Sequence, residues 1–155
     1  SGPFKWQSVE GWAEGFFIAA IKRLGQAVEA RRLVDSLFAE NPEALIALTG
    51  DFNAEDRASA LRIAIGSEDD TGNGALAGAM LIPVDRNLAA DRLYSVTHYG
   101  RPQMLDHILV SRSLLAGLRA VDIHNEMLFD ELIGPARIER SPESFHAPLV
   151  AEFAL

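Results

Sequence analysis

Three short stretches carry residue types that could do chemistry together. In "ALTGDFNAED" an apolar run turns abruptly polar, and Asp51 and Asn53 stand two residues apart straight after Gly50. On an extended chain, residues two apart point to the same side, and a glycine permits a tight bend or a close approach of backbone to ligand. An acid and an amide at the end of a strand could hold a cation or a water, since ligand sites in α/β sheets gather at strand ends. The same spacing also suits a turn in which Asp and Asn bond their own backbone. In "MLDHILVS" Asp106 sits inside a strong strand pattern, which is costly unless the acid is paired or faces a site. Alternation then puts His107 on the opposite face. In "SPESFHAPLV" His146 lies between Pro142 and Pro148, which stiffen its approach. Asp106 could bond one ring nitrogen of His146, fixing its tautomer and favouring its charged form.

Other chemistries find less support. Loops of the calcium type fail: counted from Asp51, Asp56 and Arg62 stand where glycine and glutamate belong, and counted from Asp69, Met80 replaces the glutamate. No two histidines have the short helical spacing of a zinc site. There is no G-x-S-x-G, and "GNGALAG" lacks the lysine and hydroxyl ending of a phosphate loop. His98 could contact a substrate, His124 reads as a strand surface residue, and the arginines of "EARR" and "RIER" read as solvated.

The elements that must position the three stretches follow from hydrophobic spacing. "FKWQSVEGWAEG" reads as an irregular lead-in. From about Phe16 to Glu40 the chain reads as a helix, with Phe17, Ile21, Leu24 and Val28 at three- and four-residue steps, then Val34, Leu37 and Phe38. Gly25 within it suggests a close packing contact, and Asn41-Pro42 ends it. "ALIALTG" reads as a strand buried on both faces. Residues 54–65 suggest a second, short helix, and residues 66–78 a loop. Strand patterns follow in "AMLIPV", weakened by Pro83, and in "RLYSVTHY", "MLDHILVS", "RAVDIHNE" and "APLVAEFAL". In the last, Leu149, Ala151, Phe153 and Leu155 share a face. Several strands and one long helix without regular alternation predict a mixed α/β layered sandwich.

Composition bounds the function. At 155 residues, 48% hydrophobic and 23% charged, the chain has the makings of a packed core and not of a disordered segment. Its net charge of -8 and lack of a basic run argue against duplex nucleic acid as a tightly held partner. There is no cysteine, so disulfides and thiolate metal sites are excluded. No apolar run approaches the ~18–20 residues of a membrane span, and a soluble, cytoplasmic protein is the expectation.

Taken in this order, the three stretches resemble motifs of the endonuclease/exonuclease/phosphatase superfamily. "LTGDFNAED" is similar to its Gly-Asp-Phe-Asn motif, "MLDHILVS" to its Asp-His/Tyr-Ile strand, and "SPESFHAPLVAEF" to its terminal Ser-Asp-His-x-Pro motif. The resemblance covers roughly Ala19 to Leu155. It implies an α/β fold that is part of a four-layered, DNase I-like sandwich, with a mixed, mainly antiparallel sheet and helices on its outer face. It also implies Mg²⁺- or Mn²⁺-dependent attack of water on a phosphodiester or phosphomonoester. Under it Asp51 orients or activates the water, and Asn53 helps place water, metal or phosphate. His146 bonds a phosphoryl oxygen, Asp106 orients His146, and the metal falls to Asp51 and Asn53.

Two departures qualify the match. Phe145 stands where the terminal motif has an aspartate commonly linked to the metal region. No segment before the long helix has room for the family's first half, which supplies a metal-binding glutamate. Residues 1–18 are then the lead-in and 19–155 the C-terminal half of a catalytic domain, incomplete in activity by itself. An uncovered apolar sheet face would follow, and with it a homo-oligomer or an N-terminal half as partner. The substrate expected is a small phosphate ester in preference to duplex nucleic acid, with a nuclease second, and no membrane. The alternative is a binding or assembly module that keeps the fold without the chemistry.

Overall fold

A computed structural model describes residues 7–130 and 144–155. Its first element is set by Ser8, whose Oγ accepts a hydrogen bond from Gly11 N at 3.0 Å and so caps the helix α1, Val9–Glu40. The helix therefore starts well before Phe16, and the expected lead-in over 1–18 is helical from Val9 on. Gly11 and Gly15 suggested irregular chain, but the cap and the stacked Trp12 and Phe16 rings, one turn apart, favour the helix. Asn41, extended at φ −148°, ends α1 before Pro42 as expected.

The buried stripe of α1 differs from the expected one. Ala27, Val34 and Phe38 are buried and Leu24 packs beside them, whereas Phe17, Ile21, Val28 and Leu37 are exposed. The cover provided by the rest of the fold reaches only to Leu24, and the small Ala27 lets a neighbouring helix approach. Arg31 fills the gap in the stripe. Its Nη1 donates to the carbonyls of Ala64 and Ile65 at 3.4 and 3.2 Å, and its Nη2 lies 2.7 Å from Asp35 Oδ1. This arginine of "EARR" is thus packed, not solvated, and it places a cation at the C-terminal end of the helix α2, Ser59–Ile65. "RIER" lies outside the described residues. Gly25 has no neighbour within 4 Å of where a Cβ would stand, so the packing contact expected there is absent.

After α1 come the strand β1 (Ala47–Asp51), α2, the short helix α3 (Glu68–Thr71) and a 3₁₀ turn over Gly74–Ala79. The stretch read as loop is thus partly helical, with Asn73 capping the 3₁₀ turn through its bond from Ala75 N. The strand β2 (Ile82–Pro83) and a second 3₁₀ turn, Val84–Asn87, precede the strands β3 (Val96–His98) and β4 (Arg101–Gln103). These two pair across Tyr99 and Gly100, both at positive φ. The hairpin was not legible as such, because only Gly100 announces the turn. Strand β5 (Asp106–Val110), helix α4 (Arg112–Leu115) and strands β6 (Leu118–Ile123) and β7 (Leu149–Phe153) follow among the described residues.

Among the described residues, all ladders between the named strands are antiparallel. One sheet has the order β1-β5-β2, and the other two are the ribbons β3-β4 and β6-β7. Pro83 falls on the edge strand β2, where its missing N–H costs no ladder bond. Helices α1 and α2 pack on one face of the three-stranded sheet through Leu48 and Leu109. On the other face Ile108 and Val110 pack against Val121, Ala151 and Phe153 of the β6-β7 ribbon. The described residues thus form a mixed α/β arrangement, with helices on one face of the three-stranded sheet and the β6-β7 ribbon on the other.

Strand β1 is not buried on both faces. Ala47, Thr49, Gly50 and Asp51 are exposed, because β1 is an edge and its ladder runs to β5 alone. Large apolar residues are exposed on α1, among them Trp12, Phe16, Phe17 and Ile21. No helix among the described residues is long and apolar enough to cross a membrane.

Candidate active site

The site begins where β1 runs out. Antiparallel register puts Asp51 opposite Asp106, Gly50 opposite His107 and Leu48 opposite Leu109. Cross-strand partners share a face. Asp51 and Asp106 therefore point to the β6-β7 side, and His107 points to the helix side, as alternation predicts.

Asn53 joins Asp51 by a different route from the one expected. The chain leaves the strand at Phe52, and Asn53 is left-handed at φ 47°. Pleat alternation no longer applies there. Asp51 Oδ1 accepts from Asn53 N at 2.8 Å, and Asp51 Oδ2 accepts from Asn53 Nδ2 at 3.0 Å. The turn reading is correct, and the turn itself brings the amide onto the acid. With its Nδ2 turned to Asp51, Asn53 acts as a holder of that carboxylate. Gly50, at φ 151°, starts the bend in a conformation that side-chain-bearing residues rarely adopt.

His146 arrives from the segment before β7. Its N–H donates to Ser144 Oγ at 3.0 Å, and its ring Nδ1 lies 2.7 Å from Asp106 Oδ2. The expected Asp106–His146 hydrogen bond is present, with both side chains partly buried. Pro148 is described, whereas Pro142 lies outside the described residues. Phe145 is 45% exposed and is not in the core.

Two buried groups that sequence reasoning did not find hold these partners in place. Ser95 is wholly buried. Its Oγ accepts from Leu105 N and Asp106 N at 3.0 and 3.1 Å, and its carbonyl accepts from Ala147 N at 2.8 Å. One serine thus grips the backbone at Asp106 and one residue past His146. No signal in "LYSVTHYG" marks it, because a serine in an alternating run reads as surface. His107 is the second. Its Nδ1 lies 3.0 Å from Asp85 Oδ2 and its Nε2 2.8 Å from the Ala54 carbonyl, with both side chains buried. Burial alone pushes the His107 imidazole down, but the Asp85 hydrogen bond and charge, the Ala54 carbonyl and the charge of Asp56 outweigh it and raise it above the ordinary histidine value.

Arg23 of α1 donates from Nη1 to the Asn53 carbonyl at 3.0 Å. His98 lies on β3 in edge contact with the Tyr99 ring, and His124 is exposed beyond β6. Neither contributes to the cluster.

Ligand atoms of Asp51, Asp106 and His146 all lie within 4.8 Å of one another. Two carboxylates and an imidazole form an oxygen-rich donor set, suited to a hard divalent cation such as Mg²⁺ or Mn²⁺ and ill suited to a thiophilic metal. The cluster opens on a cleft of about 650 Å³ between the β1-β5 face and β7. Among the described residues, Asp106, His146 and Ser144 line it together with apolar residues of β5 and β7, without a lysine or arginine. Two acids, a histidine and a groove with room for a small ester could align a water and bind a negative group through a shared cation.

A family model, described as the endonuclease/exonuclease/phosphatase family, matches residues 5–133. The match takes in Asp51, Asn53 and Asp106 and ends before His146. No curated protein matches the chain, and no solved structure does.

Proposed function

This chain belongs to the endonuclease/exonuclease/phosphatase family, and from that membership we propose that it is a divalent-metal-dependent phosphoesterase acting on a small phosphodiester or phosphomonoester. The observation that carries the reading is the convergence of Asp51, Asp106 and His146 within 4.8 Å of one another. Asp51, steadied by Asn53, orients the attacking water and accepts its proton. Asp106 holds the His146 imidazole, which donates to a phosphoryl oxygen as negative charge develops there. Asp51 and Asp106 would hold Mg²⁺ or Mn²⁺, with Asn53 beside them, and the bound ion supplies the positive charge that an acidic protein otherwise lacks.

The net charge of -8 favours a small ester over a duplex, whose phosphates need a basic track. We further propose that the unit is the C-terminal part of a four-layered sandwich, with the open edge of β1 taking further strands. One observation favours a second reading, a binding module without turnover: Phe145 occupies the position of the family's terminal aspartate and is half-exposed beside His146.

Hydrolysis of bis-p-nitrophenyl phosphate and p-nitrophenyl phosphate, with Mg²⁺ or Mn²⁺ and with EDTA, separates the two. Turnover that needs the metal and disappears in Asp51→Ala supports the phosphoesterase. No turnover in the full protein, with intact folding, supports the module.

A further inference from the structure

We infer that His107 is a positioning residue, which clamps the Asp51–Asn53 turn from behind and sets where the Asp51 carboxylate stands. This rests on the phosphoesterase reading for its catalytic consequence, though not for its structural one. His107 and Asp85 are 1% and 2% exposed. Burying an imidazole and a carboxylate in a core is unfavourable where an apolar pair of equal volume would pack. The polar pair is therefore informative about what it holds.

It holds the turn on both sides of Asn53. The ring lies edge-on to Phe52, with centroids 5.7 Å apart at 71°, and Nε2 meets the Ala54 carbonyl at 2.8 Å. Between those two contacts Asn53 keeps a left-handed conformation, which non-glycine residues hold only when their surroundings impose it. Both ring nitrogens face acceptors, a carboxylate and a carbonyl, so a ring with two N–H groups satisfies both. Asp85 in turn anchors the ring to the second 3₁₀ turn. From the same turn Arg86 reaches Asp56 with Nη2 2.6 Å from Oδ1, a second tie on the same loop.

His107 also follows Asp106 directly in β5. One strand thus presents the acid that meets His146 on one face and the clamp on Asp51's turn on the other. A small shift of the turn would change the Asp51–Asp106 separation, and reacting geometries are lost over about 1 Å.

The test uses the full chain and the variant His107→Phe, which keeps a ring of similar volume and removes both donors, with His107→Gln as the variant that restores one donor. The first readout is amide hydrogen exchange at Asn53, whose N–H bonds Asp51 Oδ1, compared with core amides of β5 such as Leu109. A clamp predicts exchange at Asn53 accelerated about tenfold more than at Leu109 in His107→Phe, and partial recovery in His107→Gln. The second readout is hydrolysis of bis-p-nitrophenyl phosphate with Mn²⁺. There kcat should fall roughly 10- to 100-fold with KM nearly constant. In an Asp51→Ala background, the His107→Phe change should cost nothing further. Unchanged exchange at Asn53, or a parallel rise at all core amides, overturns the clamp. Wild-type protein without hydrolysis overturns the phosphoesterase reading instead, and exchange at Asn53 still decides the clamp.

Discussion

Asp51 and Asp106 are direct cross-strand partners, the last residue of β1 opposite the first of β5. Like charges so placed repel by roughly 0.2–1 kcal/mol on a sheet surface. Asp106 has the His146 ring and Asp51 has two Asn53 donors, which reduce the repulsion without supplying a charge between the two acids. The proposed cation would offset that repulsion.

Metal-free Asp51→Asn should accordingly be as stable as the wild type or more stable, by up to about 1 kcal/mol. Mn²⁺ at roughly a hundred times its dissociation constant should stabilise the wild type by about 2.7 kcal/mol and the variant far less. Thermal denaturation with EDTA and with Mn²⁺ measures both effects. A variant that gains as much from Mn²⁺ as the wild type would remove Asp51 from the metal site.

His146→Ala should cut hydrolysis by roughly 10²–10⁴-fold. Its contact with Asp106 is partly open to solvent, and such a contact is worth at most about 1 kcal/mol of stability. Rate assays beside urea denaturation check the split. A large loss of stability with little loss of rate would make the histidine structural.

Ser95→Ala strands two part-buried amides, those of Leu105 and Asp106, at a cost of up to roughly 1–3 kcal/mol for each group left unpaired. The net destabilisation should be about 2–3 kcal/mol, visible as a lower urea midpoint at unchanged slope. Near-neutral behaviour would show that the Asp106 backbone is held by the strand ladder alone.

Two glycines should respond in opposite directions. Gly25→Ala meets open space inside α1 and should stabilise by about 1 kcal/mol. Gly66, the left-handed C-cap of α2 at φ 69°, would bring a Cβ within 3.0 Å of Arg31 Nη1. Gly66→Ala should destabilise by roughly 1–2 kcal/mol. Melting temperatures of the two variants give both signs in one experiment.

The buried Asp85–His107 pair makes stability depend on pH. Since the folded His107 holds its proton above the ordinary histidine value, folding gains from the proton. That gain is complete below the unfolded value of about 6.5 and is lost as pH rises through the folded value. In EDTA, the stability of wild type minus that of His107→Phe should shrink as pH is raised from about 6 towards 9. A difference that stays constant or grows would mean a neutral ring in the folded protein.

Much of this was written in local sequence. Alternation in "MLDHILVS" put Asp106 and His107 on opposite faces, because strand periodicity is a backbone property that the fold does not alter. The acid-amide spacing of Asp51 and Asn53 encoded a turn, since short polar side chains bond the backbone two residues on. Asn41-Pro42 set the end of α1 in the same local way. The motifs that resembled a family lay within such segments, which is why family and candidate residues were readable before any contact was known.

Tertiary structure decided what lies opposite what. Only strand register faces Asp51 with Asp106, and only packing shows that Arg31 caps another helix thirty-odd residues on, or that Ser95 and His107 are buried supports of the site. Which stripe of α1 is buried also depended on how far its neighbours reach. The physical reason is one and the same: period and turn chemistry act over two to four residues, whereas burial and charge pairing belong to surfaces brought together by the chain's long returns.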